Sequence, residues 1–89
     1  MISKQDEIKI KEIADKYSVS KIILFGSSLE QDKENFDIDL AVDGVPDSQF
    51  FSFYGDLIFN LSKPVDIVDL KNKNSFNDLI STNGKVIYG

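Results

Sequence analysis

Between Phe36 and Val42 the chain alternates, with Phe36, Ile38, Leu40 and Val42 pointing one way and Asp37, Asp39 and Ala41 the other. That is the period of a half-buried strand, and it puts both aspartates on one face. Other periods frame it. Ser3 and Asp6 resemble a capping box, and Ile10, Ile13, Ala14 and Tyr17 recur at helical spacing, so a first helix is predicted over Lys4 to Tyr17. Its charged residues read as a solvated face. Lys21 to Phe25 is a β-branched and aromatic run that reads as a buried strand stopped by Gly26. The polar stretch Ser28 to Asn35 predicts a short helical turn and a loop.

Beyond Val45-Pro46, Asp47 or Ser48 is a candidate cap for a second long helix. Its core stripe is Phe50, Phe53, Tyr54, Leu57, Ile58 and Leu61. Phe51, Gly55 and Phe59 form a second stripe at i, i+4 and i+8, which either docks a partner helix or another copy of the chain, or is buried within the monomer. Lys63-Pro64 leads into a third strand, Val65 to Leu70, with Asp66 and Asp69 on opposite faces. A last helix is expected from Ser75 to about Thr82, with Ser75 and Asp78 at capping-box spacing and Phe76, Leu79 and Ile80 as its apolar side. Asn83-Gly84 ends it, and Lys85 to Tyr88 predicts a final short strand. The class is therefore α/β, in an α+β arrangement: a small mixed sheet of three to four strands with helices packed on it, in a single domain spanning 1–89.

Asp37 and Asp39 carry the candidate chemistry. Two residues apart on a strand, their α-carbons are about 7 Å apart, and the two charges repel by roughly 2 kcal/mol at an effective dielectric near 20. A bound cation relieves that; a wet strand face is the plainer reading. Gly26-Ser27, at a strand end, lets backbone amides approach a phosphate closely, although as a dipeptide it is also an ordinary turn.

Composition narrows the options. The chain has 89 residues, 42% hydrophobic and with seven Phe, enough for one core without covalent staples. It contains no cysteine and no histidine, which removes disulfides, thiolate sites, Ser/His/Asp and Cys/His schemes and most zinc sites. Carboxylates, hydroxyls and lysines remain. Ten lysines, no arginine and fifteen acidic residues give a net charge of −5, which argues against direct nucleic-acid binding. Neither a signal peptide nor a membrane span is legible, so a cytoplasmic location is expected.

Taken in order, Leu24-Phe25-Gly26-Ser27, Phe36-Asp37-Ile38-Asp39-Leu40-Ala41-Val42, Val65-Asp66-Ile67-Val68 and Gly84-Lys85-Val86-Ile87-Tyr88 resemble the minimal nucleotidyltransferases of the DNA polymerase β-like superfamily. The resemblance covers almost the whole chain. It implies that Gly26, Ser27 and Ser28 form the nucleotide-binding turn, that Asp37, Asp39 and Asp66 are the metal ligands and catalytic residues, and that the cofactor is Mg2+, in a two-metal site. Two such ions clamp the attacking and leaving oxygens of an in-line displacement, and Asp66 would help activate the acceptor hydroxyl. Many members carry an arginine and a glycine shortly after the serine. Here Ser28-Leu29-Glu30-Gln31 stands instead, so Lys21, Lys33 or Lys63 would have to supply the cation. Minimal nucleotidyltransferases of this size resemble the antitoxin half of HEPN/MNT toxin-antitoxin pairs. That implies adenylyl transfer from ATP to a HEPN-type helical partner protein; the alternatives are a weak or inactive domain that only binds its partner, and a free-standing transferase acting on a small molecule.

Overall fold

The computed structural model describes residues 2–26 and 37–89. Within them the elements are α1 (Lys4–Lys16), β1 (Lys21–Phe25), β2 (Ile38–Asp43), α2 (Asp47–Asn60), β3 (Val65–Asp69), α3 (Ser75–Asn83) and β4 (Lys85–Tyr88). The turn expected within Ser28–Asn35 lies outside the described residues, as does the expected strand residue Phe36.

The sheet is mixed and open, in the order β3-β2-β1-β4. β1 runs antiparallel to both β2 and β4, while β2 and β3 are parallel. A parallel pair cannot be closed by a hairpin. α2 supplies the crossover, its buried Phe53 and Leu57 lying in the same core as Leu40 and Val65.

Two cores of unequal size follow from strand alternation. On one face Ile22, Leu24, Ile38, Leu40, Val42 and Val65 pack with Ile10, Ile13 and Ala14 of α1 and with α2. On the other, Ile23 and Ala41 meet Ile80 of α3, with Phe25, Val68 and Leu70 around them. This asymmetry corrects two expectations. Phe76 and Leu79 are more than half exposed, and so is Ile58. Of the apolar side of α3 only Ile80 is buried in the small core, and Ile58 lies at the exposed margin of the α2 stripe.

The helix caps also differ in part from expectation. Ser3 caps α1 as predicted, its Oγ accepting from the Asp6 backbone N–H at 3.1 Å. The Asp6 carboxylate does not complete the box; it is buried, and it accepts from the N–H and the hydroxyl of Ser62, 3.1 and 2.6 Å away. α2 has Pro46 at its N-cap with no side-chain cap, where Asp47 or Ser48 was expected. Proline's fixed φ, here −60°, suits the extended residue that precedes the first turn. Asn74, rather than Ser75, caps α3 by accepting from the Asn77 backbone N–H.

α1 and α2 are clasped at their exposed rim. Asp56 accepts from Lys16 Nζ at 2.9 Å and from the Tyr17 hydroxyl at 2.7 Å, and the Tyr17 ring meets Phe53 edge-on. The Lys16 and Tyr17 hydrogen bonds hold the Asp56 carboxyl below its ordinary 3.8. The clasp therefore favours folding above the unfolded-state value and fades as pH falls through the lower folded-state one. On the outer side of the same helix, a β-carbon added at Gly55 would meet nothing within 4 Å. Gly55→Ala should accordingly raise stability by about 1 kcal/mol, read as a higher melting temperature, because the helix gains propensity without a clash.

Candidate active site

The end of the sheet where β1 stops and β2 and β3 begin gathers most of the residues singled out in the sequence. Phe25, the last residue of β1, is the register partner of Asp39, and Asp39 is in turn the register partner of Asp66 on the parallel strand β3. Register partners on adjacent strands point to the same face. Both carboxylates lie on the face shared with Ala41 and Val68, the one α3 only partly covers. Adjacent strands are about 4.8 Å apart, so two like charges face a common space.

Gly26 follows at once and has a left-handed backbone, φ 63°. A β-carbon there would stand 2.6 Å from Asp39 Oδ2. The glycine therefore serves two ends: it turns the chain off β1, and it leaves the Asp39 carboxylate its place against the turn. Asp37 is exposed and stands one residue before β2. Among the described residues no group of three acidic side chains stands together as a metal site. Register thus pairs Asp39 with Asp66, while Asp37 lies one residue ahead of the ladder. Ser27 and Ser28, the rest of the expected phosphate turn, lie outside the described residues.

Of the lysines considered as phosphate partners, Lys21 is misplaced. It pairs with Asp43 at the far end of β1, four residues or about 13 Å from Phe25. Lys63 stands two residues before β3, on the same end as Asp66, where Pro64 C=O accepts from Ile38 N–H at 2.8 Å and stitches the two strand starts together. Lys33 lies outside the described residues.

One feature had no signal in the sequence. Beside Gly26 an apolar cavity of about 230 Å³ opens between the end of β1 and α3, lined by Phe25, Gly26, Phe76, Leu79, Ile80 and Gly84 among others. The Phe25 and Phe76 rings meet edge-to-face at 6.1 Å. The exposure of Phe76 and Leu79 is thus the lip of a cleft rather than a misplaced core.

In chemical terms the arrangement is a pair of hard oxygen donors on paired strands, a glycine turn against one of them, and an open approach from solvent. Oxygen donors of this kind suit magnesium, and a divalent ion would cancel the repulsion between the facing carboxylates. Residues 8–89 match the family Polymerase beta, Nucleotidyltransferase. The chain belongs to that family. Among solved structures it is similar to a toxin-antitoxin crystallised with AMP-PNP, at 29% identity and a TM-score of 0.74, covering 93% of this chain and 73% of that one. It is also similar to the toxin-antitoxin MntA-HepT, at 26% identity and a TM-score of 0.72, covering 98% of this chain and 73% of that one. A mutant described as toxin-antitoxin MntA-HpeT gives 27% identity and a TM-score of 0.74, covering 93% and 72%. A comparison with curated proteins found no match. Among the described residues no helix is long and apolar enough to cross a membrane.

Proposed function

We propose that this chain transfers an adenylyl group from ATP to a hydroxyl of a partner protein, a HEPN-type helical toxin, and acts as the antitoxin of the pair. The observation that supports it most is the register pairing of Asp39 with Asp66, with Gly26 closed against Asp39. Two carboxylates facing one space beside a glycine turn suit metal-assisted chemistry at phosphorus. The similarity to toxin-antitoxin structures, one of them with AMP-PNP, supports the choice of partner and nucleotide.

In this reading residues 1–89 work as one minimal domain, in a cytoplasmic setting that suits a chain without cysteine. Gly26, Ser27 and Ser28 hold the triphosphate through backbone amides, and Lys63, two residues before β3, is a candidate for an added positive charge. Asp37, Asp39 and Asp66 would hold Mg2+, as a two-ion site, with Asp37 turning in from its exposed position; the metal supplies charge neutralisation and polarises the phosphoryl oxygens. Asp66, exposed on the outer strand of the sheet, would take the proton of the acceptor hydroxyl. The leaving pyrophosphate departs on the Gly26 side.

The test is thermal. Magnesium and AMP-PNP together should raise the melting temperature by several degrees, since a ligand at 100 times its dissociation constant adds about 2.7 kcal/mol to a small domain. Asp39→Asn should abolish the rise. An unchanged melting temperature at millimolar magnesium and nucleotide would sink nucleotide binding by this chain.

A further inference from the structure

The outward face of α2 takes no part in the chemistry above, and it is apolar. Phe51 and Phe59 are 88% and 92% exposed, and Ile58 on the flank is 58% exposed. Between the two rings lies Gly55, with open space where a side chain would be. A pair of nearly bare phenylalanines on one helix is more than the scattered apolar exposure of a soluble surface. The reading of this helix as buried on both sides is excluded by those exposures.

The stripe is also free of charge. Ser48, Phe51, Ser52, Gly55, Ile58 and Phe59 follow one another along it, in a chain of which 28% is charged and whose net charge is −5. The two acidic residues of α2 lie to either side and are each held by a lysine: Asp56 by Lys16, and Asp47 by Lys71. Two copies of an acidic chain repel wherever their carboxylates meet. Along this stripe they meet without opposing any.

Its order is self-complementary. Counting outward from Gly55 within α2, Phe51 and Phe59 stand four residues away on either side, and Ser52 and Ile58 three. A two-fold axis through Gly55 therefore sets Phe51 of each copy at the level of Phe59 of the other, with glycine against glycine where the helices approach most closely. Such a patch matches itself, as a closed dimer requires.

We propose that two copies of this chain pair antiparallel through α2, crossing at Gly55. The rings, Ile58 and the small residues cover on the order of 500 Å² per copy, below the roughly 800 Å² of a standard stable interface. The dimer is consequently reversible and dependent on concentration. It also leaves the proposed active sites open, because α2 packs on the face of the sheet opposite the one carrying Asp39 and Asp66.

Sedimentation equilibrium of the full chain, from micromolar to millimolar concentration, tests the pairing. The parent should shift from one chain toward two. Phe59→Ser should stay monomeric with its melting temperature nearly unchanged. Gly55→Leu separates association from folding: it should be at least as heat-stable as the parent, since the site is open and leucine favours helix, yet fail to pair. The absence of native cysteine permits a second readout. Gly55→Cys should cross-link to itself with a short bis-maleimide, and Phe51→Cys should cross-link to Phe59→Cys but not to itself. A parent that remains monomeric throughout overturns the proposal, as does a dimer untouched by Phe59→Ser and Gly55→Leu. Self-cross-linking of Phe51→Cys would overturn the antiparallel crossing. Should the chain be monomeric alone while Phe59→Ser loses a partner protein, the face belongs to that partner and self-pairing is wrong.

Discussion

Asp66→Asn is expected to yield a folded chain that binds its partner protein and transfers nucleotide to it about 100- to 10,000-fold more slowly, the usual cost of losing a general base. Folding should not suffer. Asp66 is exposed, the change is nearly isosteric, and its register partner is Asp39, so removing one of two facing like charges relieves repulsion. The measurement is movement of label from α-labelled ATP onto the partner, together with the partner's mass. Inhibition of the partner should fail in parallel. A domain that acts by binding alone behaves differently: Asp66→Asn would then inhibit as well as the parent, and the partner would gain no nucleotide mass. That outcome would remove the transferase reading while leaving the family membership and fold intact.

How much of this was legible in the residues depends on the range of the interaction involved. The alternation around Asp39 and the buried run from Ile22 to Leu24 are local patterns, and β1 and β2 lie close to where those patterns put them. Phe53 and Leu57 are fully buried, as the centre of the α2 stripe should be. Where the stripe's margin lies is another matter, since Ile58 is inside or outside according to the width of the sheet beneath, which no periodicity encodes.

The same limit applies to polar groups whose partners are distant in sequence. Asn77, in the first turn of α3, is buried because its side-chain amide donates to the backbone carbonyls of Asp69 and Asn72. The Asp6 carboxylate is buried because Ser62, 56 residues on, donates to it twice. Neither carries a local signature; Asp6 read as half of a capping box. For the site, strand alternation alone placed Asp37 and Asp39 on one face, whereas Asp66 entered through the family resemblance. Its pairing with Asp39 rests on parallel register between strands joined by the whole of α2, and register of that kind is settled by packing. The apolar cleft at Phe25 and Phe76 was missed for a related reason: a helix residue at the lip of a cleft has the same spacing as one in a core.

Gly26→Ala should separate activity from stability in a way that Gly55→Ala does not. At Gly55 the new methyl group enters open space on a helix and stabilises. At Gly26 it meets two penalties, a left-handed φ that disfavours any β-carbon and an Asp39 oxygen 2.6 Å away. The backbone penalty is of order 1–2 kcal/mol and lowers the melting temperature by several degrees. Relief of the clash comes from the side of the carboxylate, because the crowding atom is the far end of a side chain and not backbone. Asp39 then moves away from the turn and from its position facing Asp66. Displacement of a reacting group by about 1 Å costs roughly 100-fold in rate, so transfer should fall by at least that factor in a chain that is still folded at room temperature. A double-mutant cycle decides whether the loss runs through Asp39. In an Asp39→Asn background, Gly26→Ala should add its stability penalty again but little further loss of transfer, since the carboxylate it displaces is already gone. Full multiplication of the two activity losses would mean that Gly26 acts on the triphosphate directly, and that its closeness to Asp39 is incidental.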